Sequence, residues 1–249
     1  MTRPASGPLP PKWCDHGPCA HESGQPPAAA TAPVGARAWL LIESRGPWAA
    51  EATATVLPAP LDKLALAADE LGIRVQLIRR PSRPRRGEPS GDGIPAVFAA
   101  WTAGPNPWLR RLSAHDLGPG PLEALAAGQP GDGTPDPGPL FLVCTHGKRD
   151  RCCARNGVPL ARDLAARHPA EVWETTHLGG HRFAANLAIL PHGLYYGPVD
   201  TPAALAAIDA YQRGEITVGG YRGRAGRDVP AQEAECALLA RSGTARLQA

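Results

Sequence analysis

The chain has 249 residues, 43% of them apolar, and a net charge of +3. That size and apolar fraction suit one large folded domain or two small ones with a real core. The charge is too small and too scattered for a nucleic-acid footprint, which concentrates basic residues on one face. No stretch approaches the length of a membrane span, and the opening MTRPASGPLPPKW lacks the apolar centre of a signal peptide. The sequence therefore reads as a soluble, cytoplasmic protein that binds neither nucleic acid nor membrane.

Residues 1–35 are rich in Pro, Ala and Gly and are expected to form a tail without regular structure. Within it, WCDHGPCAHE (Trp13 to Glu22) offers Cys14, His16, Cys19 and His21, which are zinc-type ligands. No apolar residues nearby support a folded knuckle, so the stretch is read as tail. AWLLIE (Ala38 to Glu43) predicts a strand, and LDKLALAADELG (Leu61 to Gly72) an amphipathic helix stopped by glycine. IRVQLIRR (Ile73 to Arg80) and IPAVFAAW (Ile94 to Trp101) predict two more strands. The basic run RRPSRPRR (Arg79 to Arg86) between them is broken by prolines and reads as a solvated loop. These elements make a first α/β domain over residues 36–128, and GQPGDGTPDPGP (Gly128 to Pro139) reads as a linker.

A second domain, residues 138–249, opens with the strand PLFLV (Pro139 to Val143). A helix follows over VPLARDLAARH (Val158 to His168), with proline in its first turn. EVWETT (Glu171 to Thr176) predicts a strand, and NLAILP with GLYYGPV a hairpin turning at His192 and Gly193. TPAALAAIDAYQRG (Thr201 to Gly214) predicts a helix with Thr201 as N-cap, Pro202 at its first position and Gly214 at its end. PAQEAECALLARS predicts a last helix that buries Cys236. The order β-α-β, then β-β-α, is that of a thioredoxin-like layer. Both halves open strand-helix-strand, which points to an internal duplication.

The chemistry concentrates in CTHGKRDRCC (Cys144 to Cys153), which holds three of the six cysteines and a histidine. In a reducing compartment such clusters bind metal or do redox work more often than they form bridges. Cys144 leaves one predicted strand, and Cys153 closes the loop that follows. His177 leaves the next strand, with His181 four residues on. Loops beyond the carboxyl ends of strands in an open α/β sheet lie together, so these residues can converge. Two thiolates and two imidazoles form a complete four-ligand set, and Gly179 and Gly180 let the backbone between the histidines turn tightly. Zinc accepts such a set, but its structural sites space the cysteines by two to four residues. Here eight residues separate Cys144 from Cys153. The long loop suits a larger object, and a [2Fe–2S] cluster with two Cys on one iron and two His on the other fits it.

Around this set, His146 is read as a packing or hydrogen-bonding residue, and Arg149 with Asp150 as an ion pair fixing the loop. Arg182 is read either as a positive charge favouring the reduced centre or as a solvated side chain. Arg222, Arg224 and Arg227 are read as a surface for an acidic partner or as a solvated loop.

CTHGKRDRCC, together with THLGGHRFAANLAILPHGLYYGPV, resembles the sucrase/ferredoxin-like family of thioredoxin-like ferredoxins. Its members share an HG-x-RD-x-x-C loop and an H-x-GG-[HD]-[KR]-[FY]-A-x-N segment. The resemblance extends to WLLIESRGPW (Trp39 to Trp48) and YRGRAGRDVPAQEAE (Tyr221 to Glu235). It implies a thioredoxin-like fold and, in members with both histidines, a bis-histidinyl [2Fe–2S] cluster. By motif position Cys144 and Cys153 would be the thiolate ligands, and His177 and His181 the imidazole ligands. Relatives carry Asp at the position of His181, and Arg at that of Cys152, which makes Cys152 a substitution beside the ligand. The word sucrase implies nothing here, since no paired carboxylates are placed for glycoside chemistry.

The expectation is a non-enzymatic electron carrier, its redox proton-coupled, serving an unidentified donor and acceptor protein. The cluster would sit in the second domain, and the first would cover it or dock a partner. Two other classes stay open: a thiol oxidoreductase using Cys152 and Cys153, and a zinc-stabilised Cys2His2 binding module.

Overall fold

The two most continuous apolar runs of the chain become its central strands, each buried on both faces, which is why neither alternates with polar residues. In the computed structural model, which describes residues 29–81, 95–113, 118–131, 133–135 and 138–247, these are β1 (Ala38–Glu43) and β6 (Leu140–Cys144). Around β1 stand β2 (Arg74–Arg79), β3 (Val97–Trp101), β4 (Trp108–Leu112) and β5 (Thr134–Pro135). Around β6 stand β7 (Val172–Thr175), β8 (Leu187–Leu190), β9 (Leu194–Tyr196) and β11 (Tyr221–Arg224). Among the described residues they form one ten-stranded mixed sheet in the order β11-β9-β8-β6-β7-β2-β1-β3-β4-β5. A separate pair joins β10 (Glu215–Thr217) to β12 (Thr244–Arg246).

Five helices complete the fold among the described residues: α1 (Leu61–Glu70), α2 (Pro119–Ala126), α3 (Arg151–Ala165), α4 (Thr201–Gln212) and α5 (Val229–Ser242). β1 runs parallel to β2 through α1 and antiparallel to β3; β6 runs parallel to β7 through α3 and antiparallel to β8. One face of β1 (Leu40, Ile42) packs with Leu61 and Leu64 of α1 and Leu122 and Leu125 of α2. One face of β6 (Phe141, Val143) packs with Leu160 and Leu164 of α3 and Ile208 of α4. The remaining faces meet each other: Trp39 and Leu41 of β1 share a core with Leu140, Leu142 and Cys144 of β6. The sheet therefore curls on itself, and the candidate thiols lie in the shared core.

The seam of the sheet is short. β2 and β7 pair antiparallel through Ile78↔Thr175 and Arg79↔Glu174. Side chains extend it. Arg79 Nε donates to Glu174 Oε2 at 2.6 Å, and the Leu77 N–H donates to the Thr176 hydroxyl at 3.0 Å. Buried Gln76 accepts from the hydroxyls of Thr175 (3.1 Å) and Thr176 (2.7 Å).

The structure corrects several sequence expectations. α3 begins at Arg151, not at Val158, because the Asp150 carboxylate accepts from the Cys152 N–H at 2.8 Å and caps the helix. Cys152 and Cys153 therefore lie in its first turn and not in a loop, and Pro159 sits inside the helix. Asp200, not Thr201, caps α4, accepting from the Ala203 N–H at 2.9 Å. Arg79 is a strand residue in an ion pair, and Arg80 lies over the Trp173 ring at 3.6 Å, so the start of the basic run is not solvated loop. Residues 82–94, with the rest of that run, and Trp13–Glu22 of the tail lie outside the described residues. At the tail's described end, the N–H groups of Thr31 and Ala32 donate to the Arg222 carbonyl. No helix among the described residues is long and apolar enough to cross a membrane.

The β8–β9 hairpin turns at His192 and Gly193 as expected, and His192 Nδ1 lies 2.8 Å from the Tyr211 hydroxyl of α4. Burial pulls the His192 pKa down to about 4. An unfolded histidine titrates near 6.5, so between about pH 6.5 and about pH 4 the unfolded chain binds the extra proton. Stability contributed by neutral His192 is thus lost as pH falls through that window. Replacing His192 by Asn should flatten the acid side of the stability profile, read as urea midpoints at pH 6.5 and 4.5. Equal losses in the two proteins would contradict the assignment.

Candidate metal centre

Cys144 is the last residue of β6, 1% exposed, and its N–H donates to the Asn186 carbonyl at 3.0 Å. Cys153 enters from the first turn of α3, also buried, where the positive end of the helix dipole favours a thiolate. The helix reaches the strand closely because residue 157 is glycine: a Cβ there would overlap the Cys144 carbonyl oxygen. Gly157 thereby lets α3 pack directly on the backbone of Cys144.

His177 follows β7. Its Nδ1 stands 3.6 Å from Cys153 Sγ and 3.9 Å from Cys144 Sγ, and the three donor atoms lie within 4.8 Å of one another. The backbone of His177 is held by groups from elsewhere in the chain. Its carbonyl accepts from Arg74 Nη2 (3.1 Å) and Gln76 Nε2 (3.3 Å), both on β2. Its N–H donates to His146 Nδ1 at 3.2 Å, which obliges His146 to carry its proton on Nε2. That proton is donated to the Ala49 carbonyl at 2.7 Å, and burial pulls the His146 pKa below its ordinary value, consistent with a neutral ring. His146 is therefore a hydrogen-bonding residue, as the sequence suggested.

The two thiols act as a pair. The hydrogen bond from Cys153 is the largest influence on Cys144 and, helped by His177 against the effect of burial, pulls its pKa well below the usual thiol range. The same hydrogen bond, then burial, pushes the Cys153 thiol up. The pairing thus favours the thiolate form of Cys144, the form that binds metal.

His181 lies on a short 3-10 turn, His181–Phe183, beyond Gly179 and Gly180, both at positive φ. Its ring centroid is 6.3 Å from that of His177, with the planes 29° apart, and its Nδ1 is 3.9 Å from Asp150 Oδ2. The close group among the described residues is therefore Cys144, Cys153 and His177, with His181 one ring away. Cys152 faces elsewhere and packs on Ala184. Cys236 is half-buried against the core.

The surrounding arginines differ from expectation. Arg149 pairs with Glu51 of the other half of the chain and not with Asp150, which is occupied as the helix cap. Arg182 is exposed, its guanidinium 4.7 Å from the Phe183 ring centre. Arg222 and Arg224 are buried and so do not lie in a solvated loop, and Arg224 and the partly exposed Arg227 both pair with Glu235. A polar cleft of about 210 Å³ reaches the site, lined by Arg74, Gln76, His146, Arg149, Thr176 and His177. Gln76, Arg74 and Gly157 carry no signal in the sequence, and Asn186 appears there only as the last residue of the quoted motif, without a role. Only their contacts across the fold give them a role.

Buried sulfur and imidazole donors at the strand ends of a mixed α/β sheet define a candidate metal-centre protein. The sucrase/ferredoxin-like family model matches residues 35–223, and the chain belongs to that family. No curated protein and no solved structure matches the chain.

Two expectations follow. Cys144→Ser and Cys153→Ser should abolish retention of metal through gel filtration, whereas Cys152→Ser should retain it; loss in all three alike would contradict the assignment. Gly157→Ala should cost about 1–3 kcal/mol by overpacking and weaken metal retention. Unchanged denaturant midpoint and metal content would show that the site does not depend on the close helix–strand contact.

Proposed function

We propose that the protein is an electron carrier holding one [2Fe–2S] cluster, with Cys144 and Cys153 as thiolate ligands and His177 and His181 as imidazole ligands. The observation that carries this reading is the convergence of the buried Cys144 and Cys153 with the half-buried His177 in a sucrase/ferredoxin-like chain. The donor chemistry fits: two sulfurs come from one side, His177 from the neighbouring loop, and His181 stands next to it on a glycine-flanked turn. When bound, such a cluster takes up and releases one electron at a time, and two neutral imidazoles raise its potential relative to an all-cysteine set.

The chain's own residues prepare that site. β6 and α3 fix the sulfurs, while Gln76, Arg74 and His146 fix the His177 backbone. The polar cleft brings His177 to water, so an outer imidazole proton can exchange and the potential should depend on pH. Uptake of a proton with the electron means that the potential falls as pH rises through the imidazole range; a potential flat from mildly acid to strongly alkaline pH would remove the coupling.

We also read the fold as two thioredoxin-like units, residues 36–128 and 138–249. The repeated orders β4-β3-β1-β2 and β9-β8-β6-β7, with the same strand directions, support this. The first unit offers no ligand to the group and serves to cover and brace it, and the donor and acceptor would be proteins of a reducing cytoplasm.

One observation favours a second reading. Sulfur at about 2.3 Å and nitrogen at about 2.0–2.1 Å from one tetrahedral ion stand about 3.5 Å apart. The 3.6 and 3.9 Å separations come close to that, and a zinc-stabilised binding module would use them unchanged. Protein purified without oxygen decides between the two. Absorption bands that bleach with dithionite, with iron and acid-labile sulfide in equal amounts, are expected for the carrier, and His181→Ala should shift or remove them. A colourless protein containing zinc would overturn electron transfer. A colourless, metal-free protein would return attention to Cys152 and Cys153 as redox thiols.

A further inference from the structure

Arg222, on β11, has only 2% of its surface exposed. Its guanidinium donates to Asn186 Oδ1 (2.5 Å), Thr31 Oγ1 (2.9 Å) and the Thr31 carbonyl (3.1 Å), and lies over the rings of Phe183 (4.4 Å) and Tyr195 (5.9 Å). Every one of these partners is neutral. None of the ion pairs among the described residues includes it, although Arg224, two residues along the same strand, has Glu235. Burial pulls the Arg222 pKa down to about 10, which still leaves it charged at neutral pH. A buried charge without a counter-charge is costly, and such groups normally pair or coordinate a metal.

The charge lies beneath the loop of the candidate centre. Gly180, between the two histidines, has no Cβ where one would overlap Arg222 Nη2. Asn186, which takes the Arg222 hydrogen bond, donates through Nδ2 to the Gly180 carbonyl at 3.0 Å, and its own carbonyl accepts from the Cys144 N–H. One residue thus connects the guanidinium to both ligand segments.

We propose that Arg222 is the internal counter-charge of the centre: a buried cation with no acidic partner among the described residues, which favours the more negative, reduced state and so raises the midpoint potential. This rests on the site being a redox centre. Arg222 makes and breaks no bond in the process; in the titration the electron comes from dithionite and remains on the centre. Because Arg222 is buried, its field is screened little by salt.

The test is an anaerobic spectroelectrochemical titration of the loaded full-length protein, with Arg222→Gln, Arg222→Lys and Asn186→Asp. Arg222→Gln removes the charge. Asn186→Asp keeps the guanidinium but adds a carboxylate against it, and serves even if Arg222→Gln fails to fold. Both should shift the redox equilibrium about tenfold toward the oxidised state, ~59 mV for a one-electron couple, and in Arg222→Gln the absorption bands of the oxidised protein should be unchanged. Arg222→Lys should stay close to wild type. Variants that keep wild-type bands and wild-type potential would overturn the role of Arg222 while leaving the carrier intact. A colourless wild-type protein without iron would overturn both.

Discussion

The candidate site depends on how one backbone segment is held across the seam of the sheet. β2 and β7 exchange only a short ladder, yet polar side chains of β2 reach past its end and take the His177 carbonyl. The His177 N–H is fixed from the other side by His146, whose second nitrogen is bound to Ala49. The bonds from β2 to His177 and from His146 to Ala49 each join residues about a hundred positions apart in sequence. His177 therefore presents Nδ1 to the sulfurs because both halves of the chain define its loop. The half that offers no ligand to the close group is needed to orient one.

Charge is arranged around this geometry with the same economy. The sulfurs sit at the N-terminus of α3, where the dipole and Asp150 capping organise the first turn. Glu51 and Glu235 neutralise Arg149 and Arg224, so those arginines act as structural ties. Tyr195 lies between the two regions, its ring in the core shared with Cys144 and its hydroxyl donating to the Leu178 carbonyl. The two sulfurs and the buried Arg222 guanidinium both lie against the His177–His181 segment, in places set by the fold.

Much of the sheet was legible because β1, β6 and β8 are apolar runs bounded by turn residues, and their periodicity is local. β4 (WLRRL) was not, since its arginines break the alternation that marks a strand. β11 (YRGR) was read as loop because arginine is normally solvated, whereas here Glu235, Asn186 and Thr31 satisfy it inside the protein. The early start of α3 was missed because RCCARNG has no clear apolar stripe; the deciding signal was Asp150 as cap. The donors Cys144, Cys153 and His177 were legible from their positions after predicted strands. Gln76 and Gly157 were not, because their roles exist only between segments far apart in the chain, and the motif that includes Asn186 does not show its bond to Arg222. His181 is read as a ligand from its spacing, four residues past His177, and from the motif; in the fold it stands beside His177, near Asp150, outside the tight three-donor group.

The most direct measurement is X-ray absorption on anaerobically purified protein at the iron and zinc edges. The account predicts iron with mixed sulfur and nitrogen scatterers and a second iron neighbour, and a loss of nitrogen scattering in His177→Ala. Zinc surrounded by two sulfurs and nitrogen, with no iron, would contradict it.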